Sequence, residues 1–170
     1  MGQYYYFVIL ADDGKYIRGW LDPSSYNNGA KLIEHSYINN TFMLAAESLL
    51  GPKSSFYKSR IVWAGDYASP ETAKEENLYK MCMNQELKHL RRSGDDNVYR
   101  YIINHSKCMF IDKKNLEIHP LALLVAEGNG SGGGDYFGPK KEVCGSWARD
   151  VISVDDSVPD GFEKFIPEFS

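Results

Sequence analysis

Residues 4–10 and 15–21 are dense in aromatic and β-branched side chains, and they flank Ala11-Asp12-Asp13-Gly14. Such side chains suit a pleated, half-buried surface. Asp-Gly accepts the positive φ that a tight turn requires. The segment therefore predicts a β-hairpin. Residues 98–104 and 108–112 repeat the arrangement around His105-Ser106-Lys107 and predict a second hairpin. Residues 60–64 read as a further short strand, residues 31–38 as another, and residues 143–154 as one or two more. Asn39-Asn40-Thr41 offers capping oxygens ahead of an apolar stretch that ends at Gly51-Pro52, so residues 42–50 read as a short buried helix. Ser69-Pro70-Glu71 is a second helix start, with a capping serine and proline at the first helical position. That helix is expected to run towards Leu90. Residues 117–126 are apolar but contain Pro120, and periodicity leaves strand and short helix both open.

These elements make an α+β fold: a strand-dominated single domain of two hairpins plus further strands, with two helices on one side. The length of 170 residues suits one domain. We place its globular part at residues 1–154, with an acidic C-terminal tail over residues 155–170. An internal echo suggests pseudo-duplication. The two hairpins resemble each other, and Trp63-Ala64-Gly65-Asp66 recurs as Trp147-Ala148-Arg149-Asp150. On that reading Trp63 and Trp147 are equivalent core anchors, and Asp66 and Asp150 cap adjacent turns.

Charge narrows the function. The chain carries −4 overall, with 19 basic and 23 acidic residues, and the excess lies in the tail. Residues 1–150 are balanced, which argues against general nucleic-acid binding. No run approaches the length of a membrane span, and no basic, apolar leader opens the chain. The three cysteines, Cys82, Cys108 and Cys144, are an odd and widely spaced set, as in reduced thiols of a cytoplasmic protein.

The glycine-rich segment carries the main functional expectation. Five of the seven residues from Gly128 to Gly134 are glycine. Glycine loses more freedom on ordering than any other residue. Such a run is either a surface loop or bare main chain shaped around a ligand, its N–H groups forming an anion-binding concavity. We take Gly128, Asn129, Gly130, Gly132, Gly133, Gly134, Asp135 and Tyr136 as candidate ligand-binding residues. A G-x-G-x-x-G match at Gly128, Gly130 and Gly133 is discounted, because no helix pattern follows it. The Gly-Lys-Ser/Thr of a phosphate-binding Walker loop is missing as well.

Among the acidic residues, Asp66 and Asp135 each stand in Gly-Asp-Tyr, and Glu127 opens the glycine segment. Convergent carboxylates can activate water or hold a hard cation, so Asp66, Glu127 and Asp135 are weak catalytic candidates. Turn-forming aspartate is the commoner role. His35, His89, His105 and His119 show no metal-ligand spacing, and no metal or cofactor is assigned.

Met1-Gly2-Gln3-Tyr4, Arg60-Ile61-Val62-Trp63-Ala64-Gly65-Asp66-Tyr67, Ala126-Glu127-Gly128-Asn129-Gly130, Gly132-Gly133-Gly134-Asp135-Tyr136 and Gly145-Ser146-Trp147-Ala148-Arg149-Asp150 resemble the landmarks of an uncharacterised bacterial and phage family whose members begin Met-Gly-Gln-Tyr. The resemblance spans nearly the whole chain. It implies one domain and a cytoplasmic setting, and no mechanism. The segment from Phe7 to Ala11 departs from that family's more polar pattern.

Three functional readings follow. The preferred one is a binding module for a small anionic or nucleotide-like ligand, or a partner protein, at Gly128–Asp135. The alternatives are a metal-assisted hydrolase using Asp66, Glu127 and Asp135, and an interaction protein without a small ligand.

Overall fold

The structure is a computed structural model, and it describes residues 3–84, 88–90, 98–128 and 143–167. Both hairpins form. β1 (Tyr5–Leu10) pairs antiparallel with β2 (Ile17–Leu21), and β4 (Tyr101–Asn104) with β5 (Met109–Asp112). β3 (Ser59–Gly65) returns antiparallel along β1, and β7 (Val151–Asp155) returns antiparallel along β4. The strand order is β2-β1-β3-β7-β4-β5-β8, where β8 (Glu163–Lys164) adds in parallel to β5. β8 thus places part of the acidic C-terminal stretch in the sheet.

Strand periodicity explains the layers. Tyr5, Phe7 and Ile9 of β1 and Ile61 and Trp63 of β3 face one core. Helices α2 (Thr41–Leu50) and α4 (Pro120–Leu124) pack on that face. Tyr6, Val8 and Leu10 of β1 and Val62 and Ala64 of β3 face a smaller core, which is closed by Leu78 and Cys82 of α3 (Leu78–Cys82). β1 is buried on both faces, which accounts for its unbroken apolar sequence. Helices do share one face of the sheet, as expected, but α4 stands there in place of the helix expected after Pro70.

Several sequence expectations need correction. The helix starting near Pro70 does not form. Residues 70–77 make turns, with the Lys74 amide donating to the Glu71 carbonyl and the Glu71 amide to the Glu76 carbonyl. α3 begins only after Asn77, whose Oδ1 accepts from the Lys80 amide while Nδ2 donates to the Asp66 and Ala68 carbonyls. Residues 88–90 instead run beside β2: Leu90 donates to the Trp20 carbonyl and Trp20 to that of Lys88. Residues 31–38 hold a short helix, α1 (Leu32–His35), instead of a strand. The cause is His35, whose ring turns inward between the Gly29 carbonyl (2.9 Å) and the Trp63 indole (3.0 Å). The apolar run 117–126 resolves into α4 followed by β6 (Ala126–Glu127). Residues 143–150 form turns ahead of β7.

The internal echo survives as topology: each half runs hairpin, helix, then a strand returning along the first strand of its hairpin. The tryptophans are both buried, at 0% and 2% exposure, but they are not equivalent in position. Trp63 lies within β3, whereas Trp147 precedes β7 and donates its amide to the Leu124 carbonyl.

β3 also changes neighbour along its length. Ser59 and Arg60 pair with Ile152 and Val151 of β7, while Trp63 and Ala64 pair in parallel with Ala126 and Glu127 of β6. The sheet forks at Ile61, whose carbonyl accepts from the Arg149 amide at 2.8 Å.

Candidate anion-binding site

Arg149 occupies that fork. The turn from Trp147 to Asp150, closed by the Asp150 amide on the Trp147 carbonyl, puts Arg149 at φ 66. A non-glycine residue there costs roughly 1–2 kcal/mol, so surrounding contacts must hold it. They do. Nε and Nη2 each donate at 2.7 Å to Glu127, while Nη1 and Nη2 donate at 2.8 and 2.7 Å to Glu71. Nη1 also donates at 3.1 Å to the Gly14 carbonyl. All five N–H groups of the guanidinium are engaged. The side chains are partly buried, at 27% exposure for Arg149, 17% for Glu71 and 30% for Glu127. The hydrogen bonds that Arg149 donates to Glu127, and after them those to Glu71, hold its pKa above the ordinary value against the opposing effect of burial.

One guanidinium thus gathers four segments: the β1–β2 turn, the loop after β3, β6 and the turn before β7. Beside it opens a cavity of about 310 Å³ lined by Lys15, Pro70, Glu71, Thr72, Lys74 and Arg149. Lys15 and Lys74 are exposed. Among the described residues neither makes an ion pair. Asp13, the acidic residue nearest Lys15 in sequence, is held by the Lys15 and Tyr16 amides at 2.8 and 3.2 Å, and these bonds keep its carboxyl below the usual range. Ala73, between Thr72 and Lys74, is a second non-glycine residue with positive φ, at 61.

The sequence candidates distribute as follows. Glu127 is in this site, with both oxygens on Arg149. Asp66 caps backbone instead: its Oδ1 accepts from the Tyr4 amide at 3.0 Å, in keeping with a turn role. Asp150 accepts from Asn104 and Lys107, tying the β4–β5 turn to the start of β7. Gly128 is bare for a packing reason, since a Cβ there would lie 2.3 Å from the Oε1 of Gln3, itself fully buried. Gly65 is crowded likewise, 2.7 Å from the Glu127 carbonyl. Asn129, Gly130, Gly132, Gly133, Gly134, Asp135 and Tyr136 lie outside the described residues.

The sequence pattern singles out none of Glu71, Lys15, Thr72 and Lys74, and it marks Arg149 only as part of the Trp-Ala-x-Asp echo. Pro70 and Glu71 read as helix signals, which hid a carboxylate whose partner lies 78 residues away.

Other polar groups are structural in their setting. His105 Nε2 lies 2.8 Å from Ser153 Oγ, but Ser153 is fully buried, so no substrate reaches that hydroxyl. Glu47, Lys113 and His119 form a buried cluster joining α2 to the end of β5 and to α4. His119 Nδ1 accepts from the Leu121 amide at 3.3 Å, which puts the ring proton on Nε2, facing Glu47 at 3.5 Å. We count that long Nε2 contact as an electrostatic one. Among the described residues no three His, Cys, Asp or Glu side chains group as a cation site, and no helix is long and apolar enough to cross a membrane.

No family model, curated protein or solved structure matches the chain.

Proposed function

We propose that this protein is a binding module for a small anionic ligand, seated in the cavity between Lys15, Thr72 and Lys74 and bordered by the Arg149 fork. The observation that carries the reading is the cavity of about 310 Å³ lined by two exposed lysines that form no ion pair among the described residues. Its volume falls at the lower end of small-molecule sites, roughly 300–1,000 Å³. Two ammonium groups supply point charges, Thr72 offers a hydroxyl, and Arg149 gives the floor a fixed shape.

The cavity adjoins the strand from which the glycine-rich segment departs, since Glu127 is bound to the same guanidinium. This keeps the expected ligand class and moves the seat from the glycines to the fork. A hydrolase built on Glu127 is less well supported, because both of its oxygens already accept from Arg149. No disulfide is present among the described residues, which is compatible with a reducing, cytoplasmic setting.

Isothermal titration against inorganic phosphate, citrate and nucleoside monophosphates tests the proposal. Heat should appear with at least one of them, weaken as salt rises, and vanish in a Lys15→Ala/Lys74→Ala double variant. Silence across the panel at low salt refutes it.

A further inference from the structure

The proposed site is already occupied by a carboxylate of the protein itself. We infer that Glu71 is a resident stand-in for the ligand's anionic group, and that a phosphomonoester-type dianion takes its place on Arg149. This rests on the anion-binding reading above and adds the mechanism and the charge of the ligand.

Three observations support it. First, Glu71 presents two oxygens to Nη1 and Nη2 of Arg149 at 2.8 and 2.7 Å, the fork geometry by which arginine also receives a phosphate. Glu71 is also one of the cavity walls, whereas Glu127 is not.

Second, the two carboxylates are held differently. Glu127 is on β6, paired with Ala64 of β3. Glu71 is on the turn segment between β3 and α3, beside exposed Thr72, Ala73, Lys74, Glu75 and Glu76. That segment is closed by the Glu71 amide on the Glu76 carbonyl at 3.1 Å and the Lys74 amide on the Glu71 carbonyl at 3.0 Å. A strand-held residue stays; a turn-held one can swing.

Third, the charges fit. Lys15, Lys74 and Arg149 carry three positive charges at the site, against Glu71 and Glu127 on the guanidinium and Asp13 beside Lys15. With Glu71 turned out to water, three cations face Glu127 and Asp13 alone, an excess of one positive charge that attracts a dianion such as a phosphomonoester, about −1.5 to −2 at neutral pH. Glu71 thus keeps the guanidinium paired while the site is empty and sets a threshold for the incoming anion.

The test is calorimetric titration of inorganic phosphate into the native protein, the Glu71→Gln variant and the Lys15→Ala/Lys74→Ala variant at one ionic strength. Removing the internal competitor should tighten phosphate binding by about tenfold, the effect expected if the competitor leaves the site open about a tenth of the time. The double lysine variant should lose binding. Should Glu71→Gln fail to fold, hydrogen exchange in the native protein decides: phosphate should speed exchange at the Glu71 and Lys74 amides. If phosphate binds through the lysines, yet Glu71→Gln binds no tighter and those amides are unaffected, the stand-in role is overturned and the anion site stands. If phosphate gives no heat with any of the three proteins, both ideas fall.

Discussion

Arginine at 149 satisfies two carboxylates and a carbonyl at once because its five N–H groups lie in one plane; lysine offers three donors from a single atom. Arg149→Lys leaves part of Glu71 or Glu127 without a partner in a half-buried setting, and should lower stability by about 2 kcal/mol. Urea titration measures this, and an unchanged midpoint would show that the fork does not hold the segments together. His35 sets a different dependence. Burial lowers its pKa from 6.5 to about 4, opposed more weakly by the Gly29 carbonyl. As pH falls through that window the unfolded chain takes up a proton that the folded protein refuses. Stability is therefore full above pH 6.5 and declines towards pH 4, by about 3 kcal/mol for a shift of this size. His119 and His105 are also lowered, chiefly by burial, and act in the same sense. The urea midpoint should drop on acidification, and His35→Gln should flatten the slope between pH 6.5 and 4. Equal slopes in the two proteins would contradict the assignment. Residue-scale chemistry of this kind was the part of the site least legible in the sequence. Nothing local to Glu71 tells it from a helix-start glutamate, and nothing local to His35 tells it from a strand histidine. Each role comes from a partner that folding brings in from elsewhere in the chain.

The elements were easier to foresee where local chemistry and tertiary demand agree. α2 begins where Asn40 Oδ1 accepts from the Phe42 and Met43 amides, at 2.9 and 3.2 Å, and its buried face then packs on the sheet. Asn40→Ala removes that cap and the Nδ2 bond to Asn28, and should cost about 1–2 kcal/mol, read as a fall in melting temperature. The hairpins were legible because the aromatic and β-branched runs encode them, helped in the first by Asp13-Gly14. The segment after Ser69 was misread because a good capping sequence competes with a tertiary anchor. Asn77, with three hydrogen bonds of its own, starts the helix seven residues after Pro70. Between elements, β3 and β6 approach too closely for a side chain at Gly65. Gly65→Ala would set a Cβ 2.7 Å from the Glu127 carbonyl, and should destabilise by roughly 1–3 kcal/mol. A stability within error of the native protein would mean that the β3–β6 contact is looser than described.

At the scale of the molecule, the two halves share one sheet instead of standing side by side. β3 and β7, the strands that return in the two halves, pair with each other at the middle of the sheet. A fragment of residues 1–84 would carry β1–β3 and α2, yet it would leave β3 without β7 and β6 and expose the Trp63 side of its core. Such a fragment should show no cooperative unfolding by circular dichroism; a sharp transition would mean that the halves are independent folding units. The α+β class was legible because both hairpins and the strand count follow from local pattern. The sheet order was not, because the pairing of Ser59 with Ile152 joins residues on opposite sides of the chain.

The chain quits the sheet at Glu127 and is recaptured beside the same helix. The Gly145 amide bonds to the Leu123 carbonyl at 2.9 Å, and the Trp147 amide to that of Leu124 at 2.8 Å. Departure and arrival are thus clamped together by main-chain bonds that ignore how many residues lie between them. Both ends are thereby seated on one helix, so the start of β7 at Val151 is positioned by α4 as well as by β3.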